Sequence, residues 1–165
     1  MPVLSLLKPE VKDLLNKSIE SELYASNFYK HMAAQMQRIG LFGAQKFFEK
    51  ESADELTHYY KIRDYINDMG SMADMPMIEQ VTDMAGGIGT ALNLAYEIEK
   101  DLLEQYTKFY EEVEDKMEDC VTANFLLQFL TIQVKSVGEY GDLISRFERN
   151  PSDVFEFDEY LSEKQ

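Results

Sequence analysis

The segment ADELTHYYKIRDY, residues 53–65, carries Glu55 and His58 three positions apart inside a run with no Pro or Gly. On an α-helix, residues at that spacing lie on one face, so the carboxylate and the imidazole project together. At a surface such a pair is ordinary. On a buried face it has to be a site, because a carboxylate without a partner inside a protein costs several kcal/mol or takes up a proton. The rest of the chain decides which face this is.

Helix breakers gather in few places: LKPE at 7–10, IGLFG at 39–43, the stretch from Gly70 to Gly89, and RNPSD at 149–153. The long segments between them, almost free of Pro and Gly, predict α1 over 9–39, α2 over 42–69, α3 over 88–117, α4 over 121–149 and a short α5 over 152–162, with Pro151 in the first turn of α5. The fold class is all-α. A short connection makes α1 and α2 antiparallel neighbours, whereas the 18 residues GSMADMPMIEQVTDMAGG between α2 and α3 are too many for a turn and can cross a bundle from end to end. Two antiparallel pairs joined by one long crossover form a four-helix bundle with a short fifth C-terminal helix.

A chain of 165 residues, 45% hydrophobic, suits a single domain spanning 1–165. Its formal charge of −15 speaks against nucleic acid as a partner, which needs basic side chains, and favours cations. Cys120 is the one cysteine, so neither an intramolecular disulfide nor a Cys-based zinc cluster can form, and a reducing compartment fits. The N-terminal MPVLSLLKPE has no basic region followed by a long apolar core, and no run of about 18 apolar residues occurs, so neither a signal peptide nor a membrane span is expected. The expectation is a soluble cytoplasmic protein.

Apolar residues at alternating steps of three and four define the core face of each helix. In α1 the stripe is Leu15, Ile19, Glu22, Ser26, Tyr29, Ala33, Met36; in α2 it is Ala44, Phe48, Glu51, Glu55, His58, Ile62, Tyr65, Met69. In α3 it is Leu92, Ala95, Glu99, Leu102, Tyr106, Phe109, Val113, and in α4 Leu126, Phe129, Gln133, Ser136, Tyr140, Leu143, Phe147. Each helix therefore places a ligand-capable polar residue near its middle on an apolar stripe, and no stripe carries Lys or Arg. Converging buried carboxylates demand a positive charge between them, and one or two metal ions are the simplest source. Oxygen donors with one imidazole suit iron or manganese better than a thiolate-loving metal, although zinc could bind. The Glu-x-x-His of α2 has no counterpart in α4, where Gln133 and Ser136 stand, so two metal positions would be unequal.

At this level of detail the sequence resembles a ferritin. ELYASNFYKHM at 22–32, DELTH at 54–58 and YEIEKDL at 96–102 resemble signatures of the first three helices, and QVKSVGEYGDLI at 133–144 is similar to the fourth helix of eukaryotic heavy-chain ferritin. The resemblance implies a ferritin-like bundle with a ferroxidase centre for two iron ions per subunit. Glu22, Glu55 and His58 fall on the first iron, with Glu55 bridging; Glu99 falls on the second, with Gln133 nearby and Tyr29 as an adjacent redox-active or hydrogen-bonding phenol. It further implies a homo-oligomeric cage of 24 subunits that oxidises Fe(II) with O2 or H2O2 and stores a ferric mineral.

Departures from the family pattern narrow this. Leu56 stands where haem-binding relatives carry a ligating Met, so no haem is expected. Ile132, Lys135 and Ser136 replace the carboxylates of a bacterial third iron site. Ala123 and Leu126 replace the acidic pair of the eukaryotic three-fold pore. On α2, Asp54 is kept at the mineral-nucleation patch, but Thr57 and Tyr60 flank it. Two other readings compete: a non-storage di-iron oxidase or peroxidase of rubrerythrin-like type, whose rubredoxin module needs more cysteines than one, and a structural bundle whose polar residues pair among themselves.

Overall fold

The computed structural model describes residues 4–164, so Met1–Val3 and Gln165, the ends of the expected 1–165 domain, lie outside the described residues. Five α-helices follow in order: α1 Pro9–Arg38, α2 Phe42–Asp68, α3 Ile88–Glu111, α4 Cys120–Arg149 and α5 Val154–Glu163, with no strand among the described residues. Helices α1 and α2 pack as one pair and α3 and α4 as the other, while α5 lies against α2.

Two glycines make the turns of the first pair possible. Gly40 (φ +82°) and Gly70 (φ +80°) take the left-handed conformation that a side chain disfavours. Each ends its helix in the same way. Leu41 N–H donates to Met36 O at 2.9 Å and Gly40 N–H to Gln37 O at 3.1 Å; Ser71 N–H donates to Ile66 O at 3.1 Å and Gly70 N–H to Asn67 O at 3.0 Å. These paired bonds satisfy the last carbonyls of α1 and α2 and reverse the chain.

The crossover runs the length of α1. Asp74 N–H donates to Asn16 Oδ1 at 2.9 Å, and Gln35 holds the other end, donating to Asp83 O at 3.0 Å and accepting from Ala85 N–H at 2.7 Å. Asn16 and Gln35 are nineteen residues apart on one helix, or about 28 Å at 1.5 Å per residue, which is the span the loop length anticipated.

Two boundaries differ from the sequence reading. Helix α3 leaves regular geometry at Glu111 and passes through a π-helical turn over Glu112–Lys116, with Met117 N–H donating to Glu112 O five residues back at 3.0 Å. Glu118 (φ +51°) then reverses the chain, and Asp119 caps α4 by accepting from Thr122 N–H at 3.0 Å and from its hydroxyl at 2.7 Å. The second difference is α5, which does not start at Pro151. Asp153 is its cap, accepting from Glu156 N–H at 3.1 Å, and Pro151 sits in the preceding turn; a side-chain acceptor for the free N–H groups outweighs the φ preference of proline.

Of the described helices, α4 alone is long and apolar enough to cross a membrane by length and composition, with a mean hydropathy of 1.2. In the fold its Leu126, Phe129, Gln133, Tyr140 and Leu143 are buried against the other helices.

The docking of α5 rests on Asp158. Its carboxylate accepts from Gly43 N–H at 3.1 Å and Ala44 N–H at 2.7 Å, satisfying the open N-terminus of α2 from another helix. The approach is so close that a Cβ on Gly43 would lie 2.0 Å from Asp158 O. Gly43→Ala should therefore push α5 off α2 and destabilise the fold by about 1–3 kcal/mol, read as a lower unfolding midpoint and faster amide exchange across 154–163.

Candidate metal centre

The core is not continuous. One cluster of buried side chains, including Phe28, Tyr29, Phe48, Ala95 and Tyr140, occupies one half of the bundle, and a second, including Leu15, Ile62, Leu102, Tyr106 and Phe129, the other. Between them lies a layer with one contribution or more from each of the four long helices: Glu22 from α1, Glu55 and His58 from α2, Glu99 from α3 and Gln133 from α4. All five are buried, from 0% exposure at Glu22, Glu99 and Gln133 to 8% at His58.

Helices α1 and α2 meet on small residues. Ser26 Oγ donates to Ser52 O at 3.0 Å and Ser52 Oγ donates to Ser26 O at 2.9 Å, a reciprocal staple that allows close approach. Lys30 Nζ donates to both hydroxyls, at 2.8 and 2.7 Å. Glu22 lies four residues before Ser26 and Glu55 three after Ser52, so the staple sets the register at which the two carboxylates face each other.

His58 Nδ1 lies 3.0 Å from Glu55 Oε2 and 3.3 Å from Glu22 Oε2. One ligand atom each from Glu22, Glu55 and His58 falls within a 4.8 Å group, the size a single cation can join. On the other side of Glu55, Glu99 accepts from the Tyr29 hydroxyl and from Gln133 Nε2 at 2.7 Å. The Tyr106 hydroxyl donates to Glu22.

Charge is distributed unevenly over these carboxylates. Burial acting alone would raise Glu22, but hydrogen bonds from His58, Glu55 and Tyr106 prevail and hold it below its ordinary value. Burial and the charge of Glu22 push Glu55 well up, and burial raises Glu99 against the hydrogen bonds of Tyr29 and Gln133. Without metal, burial and the neighbouring carboxylates thus favour the protonated form of Glu55. A cation bound between them would supply the same compensation.

The donor set fits iron on a structural observation besides its composition. Gln133 spends its N–H donors on Glu99, and its Oε1 is buried with no hydrogen-bond partner. A buried amide oxygen on a side chain of this layer, with nothing to accept from, is an available oxygen ligand.

Every residue predicted for the site is in this layer or touches it: Tyr29 stands beside Glu99, and Glu22, Glu55, His58, Glu99 and Gln133 form the layer itself. Three neighbours were read only as stripe members. Tyr106 supports Glu22, as a buried tyrosine hydroxyl usually finds a partner. Glu51, one turn before Glu55, is largely covered; burial and the charge of Glu99 push its carboxyl up to about 8. Tyr140 is fully buried and its hydroxyl lacks a partner, an orphan that costs about 1–3 kcal/mol. Their common signal was a polar tip on an apolar stripe. The positions matched to the three-fold pore, Ala123 and Leu126, are buried in their own bundle, because Leu126 shares the inward stripe of Gln133 seven residues on.

A four-helix bundle with one long crossover, divided by a carboxylate–imidazole layer, defines a class of helical-bundle proteins with a candidate metal site inside the helices. The family model for the Ferritin-like domain matches residues 12–150, and the chain belongs to the ferritin family. It is 32% identical over 143 residues to the ferritin of Pacifastacus leniusculus, covering 82% of this chain and 76% of that one. It is 24% identical over 163 residues to the bacterial non-heme ferritin of Bacteroides fragilis, covering 96% of this chain and 100% of that one. In structure it superposes on an open pore ferritin from Archaeoglobus fulgidus with a TM-score of 0.92 at 23% identity, over 96% of this chain and 98% of that one, a likeness of fold.

Glu51 offers a test in the metal-free protein. Its carboxyl ionises near 4.3 when unfolded and at about 8 when folded. Its contribution to stability is therefore complete below the unfolded value and is lost as pH rises through the folded one. Glu51→Gln should flatten the decline in unfolding midpoint of metal-free protein between about pH 5 and pH 8, with the variant the more stable at the upper end.

Proposed function

We propose that this chain is a single-domain subunit of an iron-storage cage and that its buried carboxylate layer is a ferroxidase centre, where two Fe(II) ions are oxidised before storage as ferric mineral. The observation that carries this reading is the layer itself: three carboxylates, an imidazole and a free amide oxygen, buried between four helices with no Lys or Arg among them. Such a layer needs a cation and has the donors for one.

In this reading Glu22, Glu55 and His58 hold the first Fe(II), and Glu55 is shared with a second held by Glu99 and Gln133. Negative oxygen donors stabilise the higher charge of Fe(III) more than that of Fe(II), which favours oxidation; each Fe(II) loses one electron to O2 or H2O2. Gln133 is neutral, so the second position carries less negative charge and releases its product more readily. Tyr29, bonded to Glu99, stands beside that position. Leu56 provides no haem ligand.

A homo-oligomeric shell of 24 subunits in the cytoplasm is part of the proposal. It is supported by membership of the ferritin family, by the likeness to an archaeal protein described as an open pore ferritin, and by apolar side chains left exposed on the single chain. Val121, Leu127 and Val134 on α4, Phe155 on α5, and Met72, Met75, Met77 and Met84 on the crossover are between 44% and 93% exposed.

Purified protein given Fe(II) in air should consume oxygen rapidly and build a brown, electron-dense core. Glu55→Ala should slow the initial oxidation by at least about tenfold, since even outer-shell partners of metal ligands are worth 10–100-fold; an unchanged initial rate would sink the assignment. Size exclusion should show a particle about 24 times the 19.2 kDa chain, and a monomer or dimer would remove the cage.

A further inference from the structure

Tyr140 is buried to 2% exposure, yet its hydroxyl has no hydrogen-bond partner. Phenylalanine would fill the same space without stranding an oxygen, so packing does not account for the phenol. What a phenol can do and a benzene ring cannot is give up an electron together with a proton.

Its surroundings suit that role. The Tyr140 ring lies almost parallel to that of Tyr29, 8° off, with centroids 6.2 Å apart. Tyr29 in turn donates its hydroxyl to Glu99, so the two phenols form a short stack leading away from the centre. Phe47 closes on Tyr140 edge-on at 6.1 Å, and Phe48 stacks on Tyr29 at 6.1 Å and 17°. This apolar sheath keeps water from an oxidised ring. Glu51 is the leading charge acting on the Tyr140 phenol, which burial and that charge hold well above its ordinary value.

We propose that Tyr140 is a second redox-active phenol, a relay that restores Tyr29 after Tyr29 has given an electron to the oxygen being reduced at the centre. The proposal rests on the ferroxidase reading. Dioxygen takes four electrons and four protons to become two waters, and two Fe(II) supply only two of the electrons. Tyr29 supplies a third, its O–H breaking and the proton passing to Glu99. Tyr140 then transfers one electron and one proton to the Tyr29 phenoxyl across the stack, its own O–H breaking as that of Tyr29 re-forms, and Glu99 passes the first proton on to the reduced oxygen. Tyr29, a phenol again, gives the fourth electron. Two phenols have each lost one electron and one proton, solvent supplies the other two protons, and no partly reduced oxygen leaves.

The test loads the intact protein with two Fe(II) per subunit, mixes it with dissolved oxygen, and follows tyrosyl radicals by freeze-quench electron paramagnetic resonance together with hydrogen peroxide released. Tyr140→Phe should lose the later of two radical signals and release more peroxide per oxygen consumed, while its thermal midpoint stays equal or rises because the orphaned oxygen is gone. Radical signals and peroxide yield equal to those of the unaltered protein would overturn the relay. Tyr29→Phe is an independent arm: with the stack broken no radical should form at Tyr140, and a surviving tyrosyl signal would overturn the proposed order. If the unaltered protein oxidises no Fe(II), the ferroxidase reading falls and the relay with it. Normal oxidation with a silent Tyr140→Phe removes the relay alone.

Discussion

Glu22, Glu55 and Glu99 lie in one layer at the middle of an apolar bundle, and their mutual repulsion is the constraint to which the rest of the structure answers. Each charge withdrawn from water costs several kcal/mol unless a partner or a proton offsets it. Four side chains around the layer serve that end. Tyr106 and His58 turn towards Glu22, Tyr29 and Gln133 towards Glu99, and Glu55 between them is pushed towards its neutral form. Without metal the layer favours the neutral forms of Glu55 and Glu99, and a cation bound there would favour their charged forms instead.

Architecture follows from the same need. Carboxylates from separate helices meet at a common depth only if the helices are long, nearly parallel and locked in register. The Ser26–Ser52 staple locks α1 to α2 within one turn of the layer, and Gln133 ties α4 to α3 through both the side chain and the backbone carbonyl of Glu99. Apolar clusters on both sides then clamp the layer, so that loss of stability within it is offset by packing beyond it. The crossover along α1 reverses the second pair relative to the first, which brings the middle of α3 opposite the middle of α1.

Much of this was legible in the residues. The stripe of α1 from Leu15 to Met36 is buried at every position named, because a 3.6-residue period leaves no freedom once one face meets a core. Glu22, Glu55, His58, Glu99 and Gln133 stood out as polar interruptions of such stripes. Local electrostatics and capping were less legible. The π-helical turn after Glu111 and the start of α5 at Val154 depend on which carbonyls and carboxylates lie within reach of free N–H groups, and Pro151 alone was a poor guide to them. Likewise Ala123 and Leu126, matched by position to a pore, belong to the interior of their own subunit.

The sequence by itself determined the helical class, the loop lengths that separate two antiparallel pairs, and the residues that interrupt each apolar face, since all three follow from periodicity along one chain. Only the tertiary structure decided how those interruptions pair: that Tyr106 supports Glu22 and Tyr29 supports Glu99, that Gln133 keeps an unused oxygen, that Asp158 caps α2 from another helix, and that Tyr140 stacks on Tyr29 with its hydroxyl stranded. The physical reason is that periodicity tells which face of a helix is buried, whereas hydrogen bonds and charge depend on distances between helices far apart in the chain.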